Sequence, residues 1–149
     1  MGQQQLLLVI LVTIIVGIAT VVAINTFGSA ADNSNVDAVR NDVASIAASA
    51  QGYFMKPKMM GGGGQEFTDM SWADISGVAC ETATQAVSDG SGGTTDVTKC
   101  ENENGSYEFT TTANSVDITA TPNQAGGTVT ATVVQDGISG SITYTAGGS

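Results

Sequence analysis

Two cysteines, Cys80 and Cys100, are the residues of this chain best suited to covalent chemistry. An even count with a spacing that matches no metal or redox motif favours one disulfide in an exported chain. Such a bond would close a loop of about twenty residues and contribute ~3 kcal/mol in the chain-entropy model. Two reduced thiols are the alternative, but the Gly-, Ser- and Thr-rich residues between the cysteines favour the disulfide.

Acidic side chains cluster around the same loop, and carboxylate oxygens are the ligands that calcium prefers. Asp89, Asp96, Glu101 and Glu103 lack the ordered spacing of a calcium loop, so we interpret them as a solvated acidic surface. Asp37 and Asp42 are predicted to be solvated on the exposed face of a helix, near Arg40. We predict no metal and no cofactor.

Catalytic chemistry finds little support in the composition. The chain has no histidine, which excludes Ser–His–Asp and Cys–His catalysis in their usual forms and His-ligated metals. Gly61–Gly64 is followed by no Gly-Lys-Ser/Thr sequence and is interpreted as a flexible linker. The net charge is −10, with one basic spot at Lys56 and Lys58, so no nucleic-acid partner is expected. We predict that the protein is not an enzyme.

Asn104 begins a motif for covalent modification, and the Thr- and Ser-rich strands offer further hydroxyls. Asn104-Gly105-Ser106 is a sequon for N-glycosylation, although so short a motif often arises by chance. Asn104 is therefore a possible glycosylation site.

The chain begins with a long apolar segment, which precedes all of the groups described above in the sequence. Residues 1–31 carry no charged side chain, and within them Leu6–Ile24 is apolar except for Thr13 and Thr20. As a helix these residues would be about 28 Å long, close to the hydrocarbon thickness of a bilayer. The absence of Lys and Arg before the run argues against a standard signal peptide.

A second helical pattern follows the apolar segment. From Val36 the apolar residues recur in steps of three and four, which predicts one stripe packed on a sheet. Pro57 and the following glycines should end this helix. Low helical propensity predicts an irregular stretch at Phe27–Asn35, either a local unwinding or a break followed by a new N-cap at Asn33, Ser34 or Asn35. The residues expected to pack on the sheet are Val36, Val39, Val43, Ile46, Ala50, Tyr53 and Phe54.

Beyond the helix the pattern changes twice. Residues 65–105 read as an irregular connection with one short helix capped by Ser71 and with a flexible turn at 88–93. After Gly105 the apolar period becomes two, which predicts an antiparallel meander of about four strands. A small aromatic core is expected from Trp72, Tyr107, Phe109 and Tyr144.

The predicted fold class is therefore α+β, with a long N-terminal helix packed on a C-terminal antiparallel sheet. Its expected segments are a hydrophobic helix at 1–31, an amphipathic continuation at 32–60, an irregular region at 61–105 and the sheet at 106–149.

In organisation the chain resembles the type IV pilin family, and the sequence-specific part of the likeness lies in the first thirty residues. The resemblance implies that the apolar helix holds the subunit in the cytoplasmic membrane and then packs against copies of itself in a filament core. A helix that is apolar all round needs lipid or other apolar helices about it. The resemblance assigns this packing to Leu6, Leu7, Leu8, Ile10, Leu11, Ile14, Ile15, Ile18, Val21 and Val22.

The N-terminus departs from the family pattern at two points. Pilins carry a glutamate near the processed N-terminus, where this chain has Gln5 if Met1 is the mature start. The usual basic leader is missing as well. Either Met1 is already the mature residue, or Met1-Gly2 is a minimal leader and Gln3 comes first. Met1 and Gln5 are the residues assigned to N-terminal assembly.

The function implied is the major structural subunit of an extracellular filament, a fimbrium of the kind used in adhesion or motility. Its partners would be copies of itself, the inner-membrane pilus assembly machinery and, if a leader is processed, a prepilin peptidase. The alternatives are a minor pilin or type II secretion pseudopilin, and a single-pass membrane-anchored exported domain.

Overall fold

The computed structural model describes residues 2–88 and 94–148, and for residues 83–88 and 94–97 it describes the backbone only. The described elements are the helix α1 (Gly2–Met55), two short 3-10 helices (Lys58–Met60 and Trp72–Asp74), and the strands β1 (Glu81–Ser88), β2 (Thr94–Glu101), β3 (Gly105–Thr111), β4 (Ser115–Pro122), β5 (Thr128–Val134) and β6 (Gly137–Thr145). The chain divides into two compact units, Met1–Ser34 and Asn35–Ser149.

The first unit is entirely helical in its described residues. The predicted irregularity at Phe27–Asn35 is wrong, because α1 is helical through this whole stretch. Gly28 costs about 1 kcal/mol relative to alanine in a helix interior. Helix propagation is cooperative, and the alanines Ala30 and Ala31 are strong helix formers, so one unfavourable residue does not interrupt the helix.

The second unit contains one antiparallel sheet in the order β1-β2-β3-β4-β5-β6. This confirms the α+β class, but the prediction of about four strands is wrong, since there are six. The two extra strands, β1 and β2, lie in the region that was expected to be irregular. They pair over their full length, from Glu81 opposite Glu101 to Ser88 opposite Thr94. Their largely polar sequences carry no clear alternation of apolar residues.

The core of the second unit lies between α1 and one face of the sheet. The helix contributes its predicted stripe, and β3, β4 and β5 contribute alternate residues that are buried in the same cluster. Burying a Val or Ile side chain contributes about 1.5–3 kcal/mol relative to leaving it exposed. Besides Gly105 and Pro122, the buried residues among the described side chains of the sheet are Cys100, Tyr107, Val116, Ile118, Ala120, Val129, Ala131 and Val133.

The four-glycine run caps the C-terminal end of α1. The amides of Gly63 and Gly64 donate to the carbonyls of Tyr53 (2.9 Å) and Lys56 (3.0 Å), and the Gln65 amide donates to Phe54 (2.9 Å). The flexible-linker interpretation is therefore wrong. Gly63 is buried, and a Cβ there would overlap the backbone oxygen of Glu66, which explains why this position needs glycine.

Ser71 and Asp74 form the predicted cap. The Asp74 carboxylate accepts hydrogen bonds from the Ser71 amide (2.9 Å) and hydroxyl (2.8 Å), although the helix is only a three-residue 3-10 turn. The Trp72 ring packs on Phe109 with ring centroids 4.6 Å apart. Its indole N–H donates to the carbonyl of Thr98 at 2.9 Å, so the turn is attached to β2 and β3.

Candidate functional site

The most distinctive surface of the chain is the apolar part of α1 in the first unit. Among the described residues, α1 is the one helix whose length and apolar composition would let it cross a membrane. The ten side chains assigned to filament-core packing are each between 53% and 67% exposed. An apolar surface of this size on all sides of a helix requires lipid or other apolar helices around it.

The threonine hydroxyls within this segment are satisfied by the helix itself. The hydroxyls of Thr13, Thr20 and Thr26 donate to the carbonyls of Ile10 (2.8 Å), Val16 (2.8 Å) and Val22 (2.9 Å). A hydroxyl that bonds to the preceding turn needs no water. These three threonines therefore present no unsatisfied side-chain hydroxyl to an apolar environment, where such a group would cost several kcal/mol.

Of the two residues assigned to N-terminal assembly, the structure describes Gln5. Gln5 is exposed within α1 and immediately precedes Leu6, where the apolar run begins. Met1 lies outside the described residues. The role of both in assembly stays a prediction.

In the second unit, the structure brings the predicted helix stripe together with the sheet. Val36, Val39, Val43, Ile46, Ala50 and Tyr53 are buried. Phe54 is half-buried, and its ring packs on Phe67 with centroids 4.8 Å apart. Ala47 of the helix is buried in the same cluster, together with Phe67 and Met70 from the segment that follows the helix.

Asp42 is the centre of a hydrogen-bond cluster that joins α1 to the turn between β2 and β3. One carboxylate oxygen, Oδ2, accepts from Tyr107 Oη (2.6 Å), Asn104 Nδ2 (2.9 Å) and Asn102 Nδ2 (3.0 Å). The prediction that Asp42 is solvated is therefore wrong, whereas Asp37 is exposed and pairs with Arg40 at 3.3 Å as expected.

The ionisation of this cluster follows from its surroundings. Burial alone would raise the pKa of Asp42, but the three donors outweigh it and hold the pKa below the ordinary value of 3.8. Burial, together with the hydrogen bond to Asp42 and its charge, raises the pKa of Tyr107 well above its usual range. Tyr107 stays a neutral donor and Asp42 a charged acceptor at neutral pH, which is the stronger kind of hydrogen bond.

Asn35 makes a second polar connection to the sheet side. It is buried, its Nδ2 donates to the carbonyl of Asn104 (2.9 Å), and its Oδ1 accepts from the amides of Gln124 (3.1 Å) and Ala125 (3.4 Å). Asn35 was one of three candidates for a new N-cap, and that prediction is wrong, because α1 continues through all three residues. The amide of Asn35 instead satisfies backbone groups of two loops.

The disulfide between Cys80 and Cys100 is confirmed, with a Cα–Cα distance of 5.4 Å. Cys100 is fully buried in β2, and Cys80 immediately precedes β1. The bond therefore anchors the start of the β1–β2 hairpin to the core.

Asn104 lies in the β2–β3 turn, and the Nδ2 atom that would carry a glycan donates to Asp42. Glycosylation there stays a prediction, and it would leave one of the two Nδ2 hydrogens to donate to Asp42.

Four acidic side chains line an open groove of about 970 Å³. Glu81, Glu101 and Glu103 are exposed and line it together with Asp42. Asp89, the side chain of Asp96 and the predicted turn at 88–93 lie wholly or largely outside the described residues. Within residues 2–88 and 94–148, no group of three or more possible metal ligands lies together.

Sequence reasoning missed the roles of Asp42 and Asn35. For Asp42 a signal was present, because it follows Val39 by three positions and so borders the buried stripe of α1. The Asn-rich turn at 102–104 held its partners, but nothing in the sequence connects that turn to the helix.

Comparison of the chain with protein-family models, curated proteins and solved structures gave no significant match in any of the three.

Proposed function

We propose that this chain is the major structural subunit of an extracellular type IV pilus-like filament. The proposal is carried by one observation, an uncharged apolar helix whose side chains are exposed on all sides and whose threonine hydroxyls are satisfied internally. Before assembly the apolar helix resides in the cytoplasmic membrane, and afterwards it packs against the same helix of neighbouring copies. The partners are other copies of the chain and the inner-membrane machinery that assembles them.

The second unit supports the same role. Its helix stripe, sheet and disulfide form a compact core with few charged groups, suited to an extracellular domain displayed around a helical core. A disulfide favours an oxidising compartment outside the cytoplasm. The proposal assigns no catalytic step to the chain.

The test is a pair of matched substitutions in the native host. Ile14→Asp places a charge in the middle of the apolar helix, at an expected cost of ~2.5–3.5 kcal/mol in an apolar environment. Ile138→Asp makes the same change at an exposed position of β6. We expect sheared surface fibres to disappear in the first variant and to persist in the second, as seen by electron microscopy.

The disulfide provides the control for export. Alkylation of the unfolded chain distinguishes the oxidised from the reduced cysteines, so it shows whether the second unit has reached an oxidising compartment. An Ile14→Asp chain that is oxidised but forms no fibres has failed in assembly. Fibres that remain abundant in that variant, or that do not contain this chain, would refute the proposal.

Abundance and oligomeric state separate the alternatives. A minor pilin or pseudopilin would be a small fraction of sheared surface protein, whereas a major subunit would dominate it. A membrane-anchored domain that never polymerises would remain monomeric in detergent and stay with the cells on shearing.

A further inference from the structure

Exposed apolar side chains of the second unit concentrate at one place, the loop that follows α1. Met55, Met59 and Met60 are 73%, 99% and 67% exposed. Among the described side chains of residues 35–148, the only other large apolar one in this class is Ile138, at 37%. We call residues 55–60 (Met-Lys-Pro-Lys-Met-Met) the methionine–lysine loop.

The same loop carries half of the positive charge of the chain, which has four Lys and Arg residues in total. The other two cations are compensated nearby, since Arg40 pairs with Asp37 (3.3 Å) and Lys99 with Glu108 (3.5 Å). Lys58 reaches Glu66 at 3.2 Å, but this pair is exposed on both sides and so contributes little. In the described part of the chain, Lys56 forms no ion pair.

The loop is held in a fixed conformation by the glycine cap. The amides of Gly62, Gly63 and Gly64 bond to the carbonyls of Pro57, Tyr53 and Lys56. A binding segment that is already ordered loses less conformational entropy when it docks. The exposed methionines therefore belong to an ordered loop and not to a flexible linker.

A complementary feature lies about 20 Å farther back along α1, near Asp42. Glu81 and Glu101 stand directly opposite each other in the β1–β2 ladder, and both line the acidic groove defined above with Glu103. Like charges opposite each other across strands are destabilising. Lys99 lies two residues before Glu101, on the same face of β2, but it forms an ion pair with Glu108. The repulsion between Glu81 and Glu101 in the groove is therefore not relieved by Lys99.

We propose that the methionine–lysine loop of one copy docks in the acidic groove of a second copy. Two copies of net charge −10 repel each other, so a close contact between them needs the few cations to meet acids. Lys56 and Lys58 would relieve the Glu81–Glu101 conflict, and Met55, Met59 and Met60 would bury apolar surface. Because the two surfaces are different, the contact is heterologous and propagates from copy to copy, as an open polymer requires.

The inference deepens the proposed function, but its test does not depend on fibres. Full-length chain is made as an equal mixture of ¹⁴N- and ¹⁵N-labelled copies and treated with a carbodiimide, both in detergent-solubilised membranes and in sheared material. Mass spectrometry then identifies the bonded peptides. We expect amides joining Lys56 or Lys58 to Glu81, Glu101 or Glu103, with one light and one heavy peptide in each mixed pair.

Charge exchange supplies the second arm. Lys56→Glu with Lys58→Glu removes both reacting amines and should abolish the mixed cross-link, and Glu81→Lys with Glu101→Lys leaves only Glu103 to react and should lose most of it, so the informative variant is the one that exchanges the charges on both surfaces. Reversing all four charges together should restore it, now with the residue types exchanged. Arg40→Glu and Asp136→Lys are the controls for a single change of cation or acid elsewhere, and both should leave the cross-link unchanged.

The outcomes separate the two proposals. Fibres that lack the mixed cross-link would overturn the docking contact and leave the filament proposal standing. The cross-link without fibres would do the reverse. Cross-links only within one copy, or a four-charge variant that recovers nothing, would overturn the contact. Saturable calcium binding that is lost in Glu81→Lys with Glu101→Lys, with no effect on the lysine side, would reassign the groove to a cation.

Discussion

The hydroxyl of Tyr107 donates to the carboxylate of Asp42 across 2.6 Å, although the two residues are 65 positions apart in the chain. The bond connects β3 to the second half of α1. It is the shortest of three hydrogen bonds to one oxygen, so Asp42 fixes the β2–β3 turn against the helix.

Removing this hydroxyl should measurably destabilise the second unit. Tyr107→Phe leaves a half-buried, charged acceptor with one donor fewer, and hydrogen bonds to charged groups contribute about 1.5–3 kcal/mol. Tyr144→Phe is the matched control, because its hydroxyl bonds only to backbone carbonyls of Ala125 and Gly126. Urea unfolding followed by Trp72 fluorescence gives both free energies. Equal losses in the two variants would contradict the special role of Asp42.

Asp42 should also make stability depend on acid pH. Its folded pKa lies below the ordinary 3.8, so the folded state binds this proton less readily than the unfolded chain does. The stabilisation is complete above that ordinary value and is lost as the pH falls through the lower folded pKa. Unfolding free energies measured from pH 6 down to about pH 2 should therefore fall less steeply in Asp42→Asn than in the parent chain. Parallel curves would show that the carboxylate is not responsible.

The glycine cap can be tested with two alanine substitutions. Gly63→Ala puts a Cβ against the backbone oxygen of Glu66, so the loop must open and release the hydrogen bonds at the end of α1. We expect a loss of at least ~2 kcal/mol, as for other overpacked buried sites. Gly52→Ala meets open space in the same helix and should stabilise it by about 0.5–1 kcal/mol. Thermal unfolding should move in opposite directions for the two variants.

Loss of the disulfide should cost about 3 kcal/mol, from the closure of the loop between Cys80 and Cys100. Replacing both cysteines with alanine should cost more than chemical reduction of the parent chain, because Cys100 is fully buried and its sulfur leaves a cavity. Urea unfolding of the oxidised, reduced and alanine forms gives their free energies of unfolding, which should decrease in that order. A reduced form as stable as the oxidised one would contradict the role assigned to the bond.

The parts of the fold that were predictable are those with a strong apolar period. The steps of three and four after Val36 predicted the buried helix stripe, and the alternation after Gly105 predicted strands β3 to β6. In both cases one side of the element is buried and the other is not, which is what produces the period.

The parts that were missed depend on interactions that leave no such period. Strands β1 and β2 join the sheet through backbone pairing, and their sequences place acids and threonines where apolar residues would signal a strand. The partners of Asp42 lie 60 to 65 positions away, so only the tertiary fold reveals them. At Phe27–Asn35 the local propensities were read correctly, but the cooperativity of the helix outweighed them.

The internal hydrogen bonds of Thr13, Thr20 and Thr26 have a thermodynamic consequence. Because these three hydroxyls are already hydrogen-bonded, they give the segment no preference between contact with lipid acyl chains and contact with the apolar side chains of another protein. Transfer from one oily surrounding to the other is then close to isoenergetic for the helix itself. Contacts made by residues 35–149, or work supplied from outside, must set the direction of that transfer.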